Sequence, residues 1–291
     1  MQPQDGTEQW LQRNWADRPE MFRLDVEGAE IACHGWNLQA RDLPGVILVH
    51  GFRAHVHWWD HIAPALADRY RVAAFSFSGM GDSDRRPTYS RSQYAREILG
   101  LAAALDFDPA IVVAHSFGAI PSLIAARSAP DRISRVIVID SAIPASDDEG
   151  RQIPTPPPRF YPDEENAVSR FRLIPPGEWP HPSVLAHIAQ HSVGRTAEGW
   201  TWKFDPDAAA SLNEENYRGA MFDIPVPVDM IRGEHSEIMT PPRVAALREM
   251  APSLGREIII PASHHHILIE QPASLCAALN ALLANDRMLQ I

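Results

Sequence analysis

The sequence predicts an α/β fold built on a mostly parallel sheet with helices on its faces. Short, wholly apolar runs such as Val46-Ile47-Leu48-Val49 and Ile111-Val112-Val113 have the composition of strands buried on both sides. These runs alternate with segments of helical periodicity at 90–105 and 119–128, the pattern of βαβ units. From about 143 to 223 the alternation stops, and prolines and tryptophans accumulate without an obvious core strand.

In chain order, 24–26 and 30–37 read as an antiparallel pair. Strand 46–49 runs into His50-Gly51-Phe52, and 58–66 turns helical. A strand at 72–77 leads into 78–87, where glycine and proline mark a loop. Good helix formers fill 90–105, strand 111–114 precedes helix 119–128, and Pro130 stops that helix. Strands at 135–139, 226–231 and 257–260 bring the number to eight.

A chain of 291 residues can bury a sizeable core. With 26 basic and 37 acidic residues the net charge is −11, which argues against nucleic acid, anionic membrane surfaces and a polyanionic substrate. No run approaches the ~20 apolar residues that span a bilayer, and 1–15 is polar with no hydrophobic signal region. Cys33 and Cys276 match no metal-ligand spacing and read as buried thiols, so a cytoplasmic location is expected.

Chemistry concentrates in three places. Ala114-His115-Ser116-Phe117-Gly118, directly after an apolar strand, reads as a nucleophile elbow: the small residues at either end permit a sharp strand-to-helix turn that exposes the Ser116 hydroxyl. Gly51 lets the chain bend so that the N–H of Phe52 can join that of Phe117 as an oxyanion hole. A general base is expected from His264, His265 or His266, in the loop after the last strand. Between these, 228–231 runs into Arg232-Gly233-Glu234-His235-Ser236-Glu237, which can supply an acid in the order Ser, acid, His. Gly79-Met80-Gly81 lacks the lysine of a phosphate loop and reads as a turn.

Together with Ser78-Gly79-Met80-Gly81-Asp82-Ser83 and Glu270-Gln271-Pro272, these motifs resemble the α/β-hydrolase-fold serine hydrolases of the capped esterase, lactonase and C–C hydrolase type, from about residue 22 onward. The resemblance implies a core of 1–142 and 224–291, with 143–223 inserted as a mainly helical cap that includes helices near 164–171 and 184–192. It selects His265, five residues before Glu270, as the base. Family members often carry the acid at the position of Ser236, so Glu237 is favoured here, with Asp140 at the end of strand 135–139 as the alternative. Substrate contacts are expected from His115, Trp59, Phe171, Trp179, Trp200 and Trp202.

These assignments imply hydrolysis of a carboxylic ester or lactone of a medium-sized, mostly apolar small molecule through an acyl-enzyme, with no cofactor. C–C bond hydrolysis, or a lyase or cofactor-independent oxygenase reaction, would use the same residues, and a non-catalytic ligand sensor is the reading from another class. No metal is expected, since the adjacent rings of 264–266 cannot easily converge on one ion. The cap aromatics could equally serve a homodimer interface.

Overall fold

The computed structural model describes residues 4–141, 157–214, 223–250 and 254–284. Its strands are β1 (Glu20–Val26), β2 (Ala29–Trp36), β3 (Gly45–Val49), β4 (Arg71–Phe75), β5 (Ala110–His115), β6 (Ile133–Ile139), β7 (Val193–Thr196), β8 (Gly199–Trp202), β9 (Val228–Gly233) and β10 (Leu254–Ile260). The helices are α1 (Gln4–Ala16), α2 (Pro64–Ala67), α3 (Arg91–Ala104), α4 (Ala119–Ser128), α5 (Glu164–Val168), α6 (Pro182–His191), α7 (Pro206–Glu214), α8 (Pro241–Met250), α9 (Ile267–Glu270) and α10 (Pro272–Ala284).

Eight strands form one sheet in the order β1-β2-β4-β3-β5-β6-β9-β10. β1 and β2 enter antiparallel, and every pairing from β4 to β10 is parallel. Because successive side chains point to opposite faces, each central strand feeds two cores. Ile47, Val49, Val112 and Val136 pack with α3, α4 and α8, whereas Val46, Leu48, Val113 and Ile137 pack with α1, α2 and α10. That double burial is why β3, β4 and β5 are apolar almost throughout.

From β3 the chain moves to one side to form β4, then returns to the other side of β3 to form β5. The loops after β3 and β5 therefore diverge, and a crevice opens between them at the carboxyl ends of the strands. His50-Gly51-Phe52 and Ser116 sit at this switch point.

One local expectation changes. The helix expected at 58–66 is instead a 3-10 turn, Val56–Trp58, followed by α2, because Pro64 has no N–H and is accommodated only at a helix start. α1 has little amphipathic signal in the sequence; among its described side chains only Leu11 is fully buried.

Residues 157–214 add no strand to the main sheet. They contain α5 and α6, close to the expected helices, together with α7 and a separate β7-β8 ribbon that composition did not suggest. They bond to loops at the carboxyl edge: Gly81 N–H donates to Lys203 O at 2.8 Å, Asp205 N–H to Gly79 O at 2.7 Å, and His181 N–H to Ile269 O at 3.0 Å. The expected boundary at 142–143, Pro154 to Pro156, and the exit through 222 lie outside the described residues. No helix among the described residues is long and apolar enough to cross a membrane.

Candidate active site

Ser116 follows β5 with φ of 53°, the left-handed region that a side chain occupies only at a cost of about 1–3 kcal/mol. Its neighbours explain why small residues flank it. A Cβ on Gly118 would lie 2.5 Å from His50 O, and one on Gly51 would lie 3.3 Å from Ser116 Cβ. The turn after β3 is thus pressed against the serine. His50 holds that turn in place: its Nε2 accepts from Phe77 N–H at 3.0 Å, which leaves Nδ1–H to donate to Gly51 O at 2.6 Å. Burial lowers the His50 pKa to about 4, so this neutral tautomer persists at neutral pH. The Phe52 and Phe117 rings meet edge to face with centroids 5.3 Å apart, joining the two segments expected to donate backbone N–H groups.

His265 Nδ1 lies 2.8 Å from Asp140 Oδ2. Asp140 is wholly buried, and its carboxylate is saturated with donors: Oδ1 accepts from Gly233 N–H at 3.1 Å, and Oδ2 also accepts from Ser236 Oγ–H at 2.7 Å. Ser236 Oγ in turn accepts from the N–H groups of Ile238 and Met239 at 3.1 and 2.9 Å. The carboxylate at His265 is thus that of Asp140, the alternative acid, whereas the favoured Glu237 is exposed and points no carboxylate at His265 among the described contacts. The physical reason is register. β6 lies between β5 and β9, with Ile139 opposite both His115 and Ile231, so the residue after Ile139 emerges between the serine and the histidine loop. Ser236, at the position where relatives often carry an acid, supplies a hydroxyl to that carboxylate instead.

The three adjacent histidines diverge in role. His264 N–H donates to Glu270 Oε2 at 2.7 Å, so Glu270 anchors the base loop. His266 Nε2 donates to Pro175 O at 2.9 Å, and burial together with the neighbouring His265 pushes its pKa down to about 3. His115 Nε2 donates to His265 O at 3.0 Å; burial holds its pKa well below the usual value. The rings of His265 and His266 do come close, with centroids 4.9 Å apart, and with His115 they bring one nitrogen each within 4.8 Å of the others. Two adjacent rings of 264–266 thus approach a common point with His115, which lies 150 residues away in sequence.

Ser116, His265, Phe52 and His115 line one cavity of about 620 Å³. Phe171 and Trp202 are on its wall, as expected. Three aromatics are not. Trp59 is fully buried in the core beneath the sheet edge, and its neighbour Trp58 reaches the cavity in its place, because one step along a 3-10 turn rotates a side chain by about a third of a turn. Trp179 is 51% exposed and packs against His264 and His235. Trp200 lines a separate shallow hollow beside Phe160, where its backbone pairs with Tyr161.

Among the described residues the cavity lining also carries Arg53, Arg159, Arg170, Arg172 and Lys203, the last paired with Asp82 at 2.7 Å, and no Asp or Glu. Arg53 follows Phe52 directly and stacks its guanidinium 4.5 Å from the Phe204 ring centre. The described lining of this site is therefore basic although the chain's net charge is −11. Whole-chain charge averages over a surface, whereas a ligand meets only the side chains around it.

A sequence profile of the alpha/beta hydrolase family matches residues 46–279. A relative, 2-(acetamidomethylene)succinate hydrolase of Mesorhizobium japonicum, is 26% identical over 240 residues, which cover 77% of this chain and 82% of that protein. The crystal structure of E-2-(acetamidomethylene)succinate hydrolase matches with a TM-score of 0.77 at 21% identity, covering 91% of this chain and 99% of that one. An esterase of Mycobacterium tuberculosis, Rv0045c, matches with a TM-score of 0.71 at 19% identity over 98% and 99% of the respective chains. Structural likeness at these identities carries the fold.

Proposed function

The chain belongs to the alpha/beta hydrolase family, and from that premise we propose that it is a serine hydrolase cleaving a carboxylic ester or lactone that bears a carboxylate of its own. One observation carries the reading: a serine in a left-handed elbow shares a cavity with a histidine whose Nδ1 is bonded to a wholly buried carboxylate.

In this mechanism Ser116 Oγ attacks the substrate carbonyl while His265 Nε2 takes its proton. Asp140 keeps the His265 proton on Nδ1, so that Nε2 presents a lone pair. The N–H groups of Phe52 and Phe117 stabilise the developing oxyanion, worth about 10²–10³ in rate for each donor. The leaving alcohol receives the proton from His265, and water activated by the same ring releases the acid. Residues 143–223 act as a cap over a core of 1–142 and 224–291.

Substrate class rests on the cavity. Its volume of about 620 Å³ suits a medium-sized molecule, and Trp58, Phe171 and Trp202 supply apolar walls. The basic side chains of the described lining favour an anionic group in the ligand, in place of the mostly apolar substrate expected from sequence. The relative named for a succinate substrate, a dicarboxylate, is consistent with that preference.

Fluorophosphonate labelling tests the nucleophile: Ser116 is expected to label, and the Ser116→Ala variant is not. Absence of labelling in folded protein would overturn the serine-hydrolase reading. Comparing p-nitrophenyl acetate with the p-nitrophenyl monoester of succinate tests the substrate class. A higher kcat/KM for the charged ester, reduced through KM in Arg53→Ala or Arg172→Ala, is expected; equal values in all proteins would refute the carboxylate requirement alone.

A further inference from the structure

A second cluster of chemistry-bearing side chains lies where the turn after β3 meets α6, outside the catalytic group. Asp60 is only 8% exposed and accepts from His34 Nδ1 at 2.9 Å, His57 Nδ1 at 2.7 Å and His187 Nε2 at 2.9 Å. Its ion-pair partners among the described residues are these histidines. Three neutral imidazoles would leave a buried negative charge uncompensated, which is costly unless a proton or a cation joins the group.

Next to it, His187 and His191 stand one turn apart on α6, a spacing that puts both rings on one helix face. Their ring centroids are 4.6 Å apart, and His191 lies 3.8 Å from the ring of His57. One nitrogen from each of His57, His187 and His191 lies within 4.8 Å of the other two. Two nitrogens on one tetrahedral ion held at about 2.05 Å are about 3.4 Å apart, so modest ring rotation would complete a three-nitrogen set. Side-chain exposures of 10% for His57 and 19% for His187 leave a path from solvent.

We propose that His57, His187 and His191 form a site for a divalent transition ion of the zinc type, with Asp60 orienting the imidazoles of His57 and His187 and the His187 carbonyl that of His191. Three imidazoles, two of them backed by a hydrogen-bonded carboxylate, suit such an ion, and the fourth position would hold water. His57 belongs to the turn beyond the oxyanion segment, while His187 and His191 belong to the inserted region, so the ion would fasten one to the other. The junction continues into the cavity, where His55 Nε2 and Ser192 Oγ lie 2.9 Å apart and both residues form part of the wall.

The test uses the full chain after dialysis against a chelator. Calorimetry with Zn²⁺ and visible absorption with Co²⁺ are followed in wild type, His187→Gln, His191→Ala, Asp60→Asn and His266→Ala, with circular dichroism to verify folding. One equivalent is expected to bind, to give the intense ligand-field bands of four-coordinate cobalt and to raise the thermal midpoint by several degrees. His191→Ala should weaken binding at least tenfold, Asp60→Asn by about 10–100-fold, and His266→Ala should bind as wild type. His191 bonds the carbonyl of His187 and has no described bond to Asp60, so its variant carries the test if His187→Gln fails to fold. Three results would overturn the proposal: no binding at millimolar Zn²⁺, which would mean that a proton alone compensates Asp60; undiminished binding in His191→Ala; or loss of binding in His266→Ala instead, which would place the ion at His115, His265 and His266.

Discussion

Asp140→Asn separates the two carboxylates that the sequence could not. Asparagine keeps the shape of aspartate, but only one of its two terminal atoms accepts. If the amide oxygen keeps the Gly233 N–H, its NH₂ group faces Ser236 and His265 Nδ1, which now lie 2.7 and 2.8 Å from Oδ2. The Ser236 hydroxyl already accepts from the Ile238 and Met239 N–H groups and has no lone pair left for the amide. The imidazole can accept only by moving its proton to Nε2, where it blocks proton transfer from Ser116. A fall in kcat of about 10⁴ is expected, equivalent to ~5.4 kcal/mol at ~1.36 kcal/mol per decade. Stability should change by only about 1–3 kcal/mol, since the shape is retained and a buried charge is removed. Glu237→Gln, at an exposed position, should alter neither kcat nor stability by more than about 0.5 kcal/mol. Initial rates on an activated ester, normalised to the fraction labelled by a fluorophosphonate, give kcat per competent site. A loss of a hundredfold or more in Glu237→Gln, with less than tenfold in Asp140→Asn, would refute the assignment of Asp140.

Gly118→Ala forces a Cβ to within 2.5 Å of His50 O, so urea denaturation should show a loss of several kcal/mol or no folded protein; a wild-type midpoint would show that the turn after β3 is not pressed against the elbow as described. Trp59→Ala should cost about 3–5 kcal/mol in the same assay and Trp179→Ala about 1 kcal/mol or less, the reverse order contradicting their exposures of 0% and 51%. Acid should destabilise the fold. Burial lowers the pKa of His50 and of His61 to about 4 from 6.5, so between these values the unfolded chain binds protons that the folded chain refuses. Stability is then full above pH 6.5 and falls as pH drops toward 4, by about 3 kcal/mol per group, and a urea midpoint at about pH 5 no lower than at about pH 7.5 would contradict this.

Much of the site was legible because its signals are local. A strand buried on both faces must be apolar, so the sheet could be read from runs such as 46–49 and 111–113, and a serine between small residues after such a run carries its own steric explanation in Ala114, Gly118 and Gly51. The base loop was legible for the same reason, with Glu270 anchoring His264 only six residues away. The choice of acid was not local. Asp140 and His265 are 125 residues apart, and nothing near either one shows that β6 passes between β5 and β9. The aromatics failed similarly: composition showed that the region was rich in them, but a single step along the 3-10 turn decided that Trp58, and not Trp59, faces the cavity.

The basic lining of the cavity and the Asp60 cluster arise only after folding, when loops scattered along the chain converge on one place. The sequence by itself determined the alternation of buried strands and helices, the strained serine turn and the histidine that follows the last strand, since each depends on residues within a few positions of one another. Tertiary structure alone decided which carboxylate meets His265, which side chains surround the substrate and which histidines gather around Asp60, because those contacts depend on strand order and on how residues 157–214 settle on the carboxyl edge of the sheet.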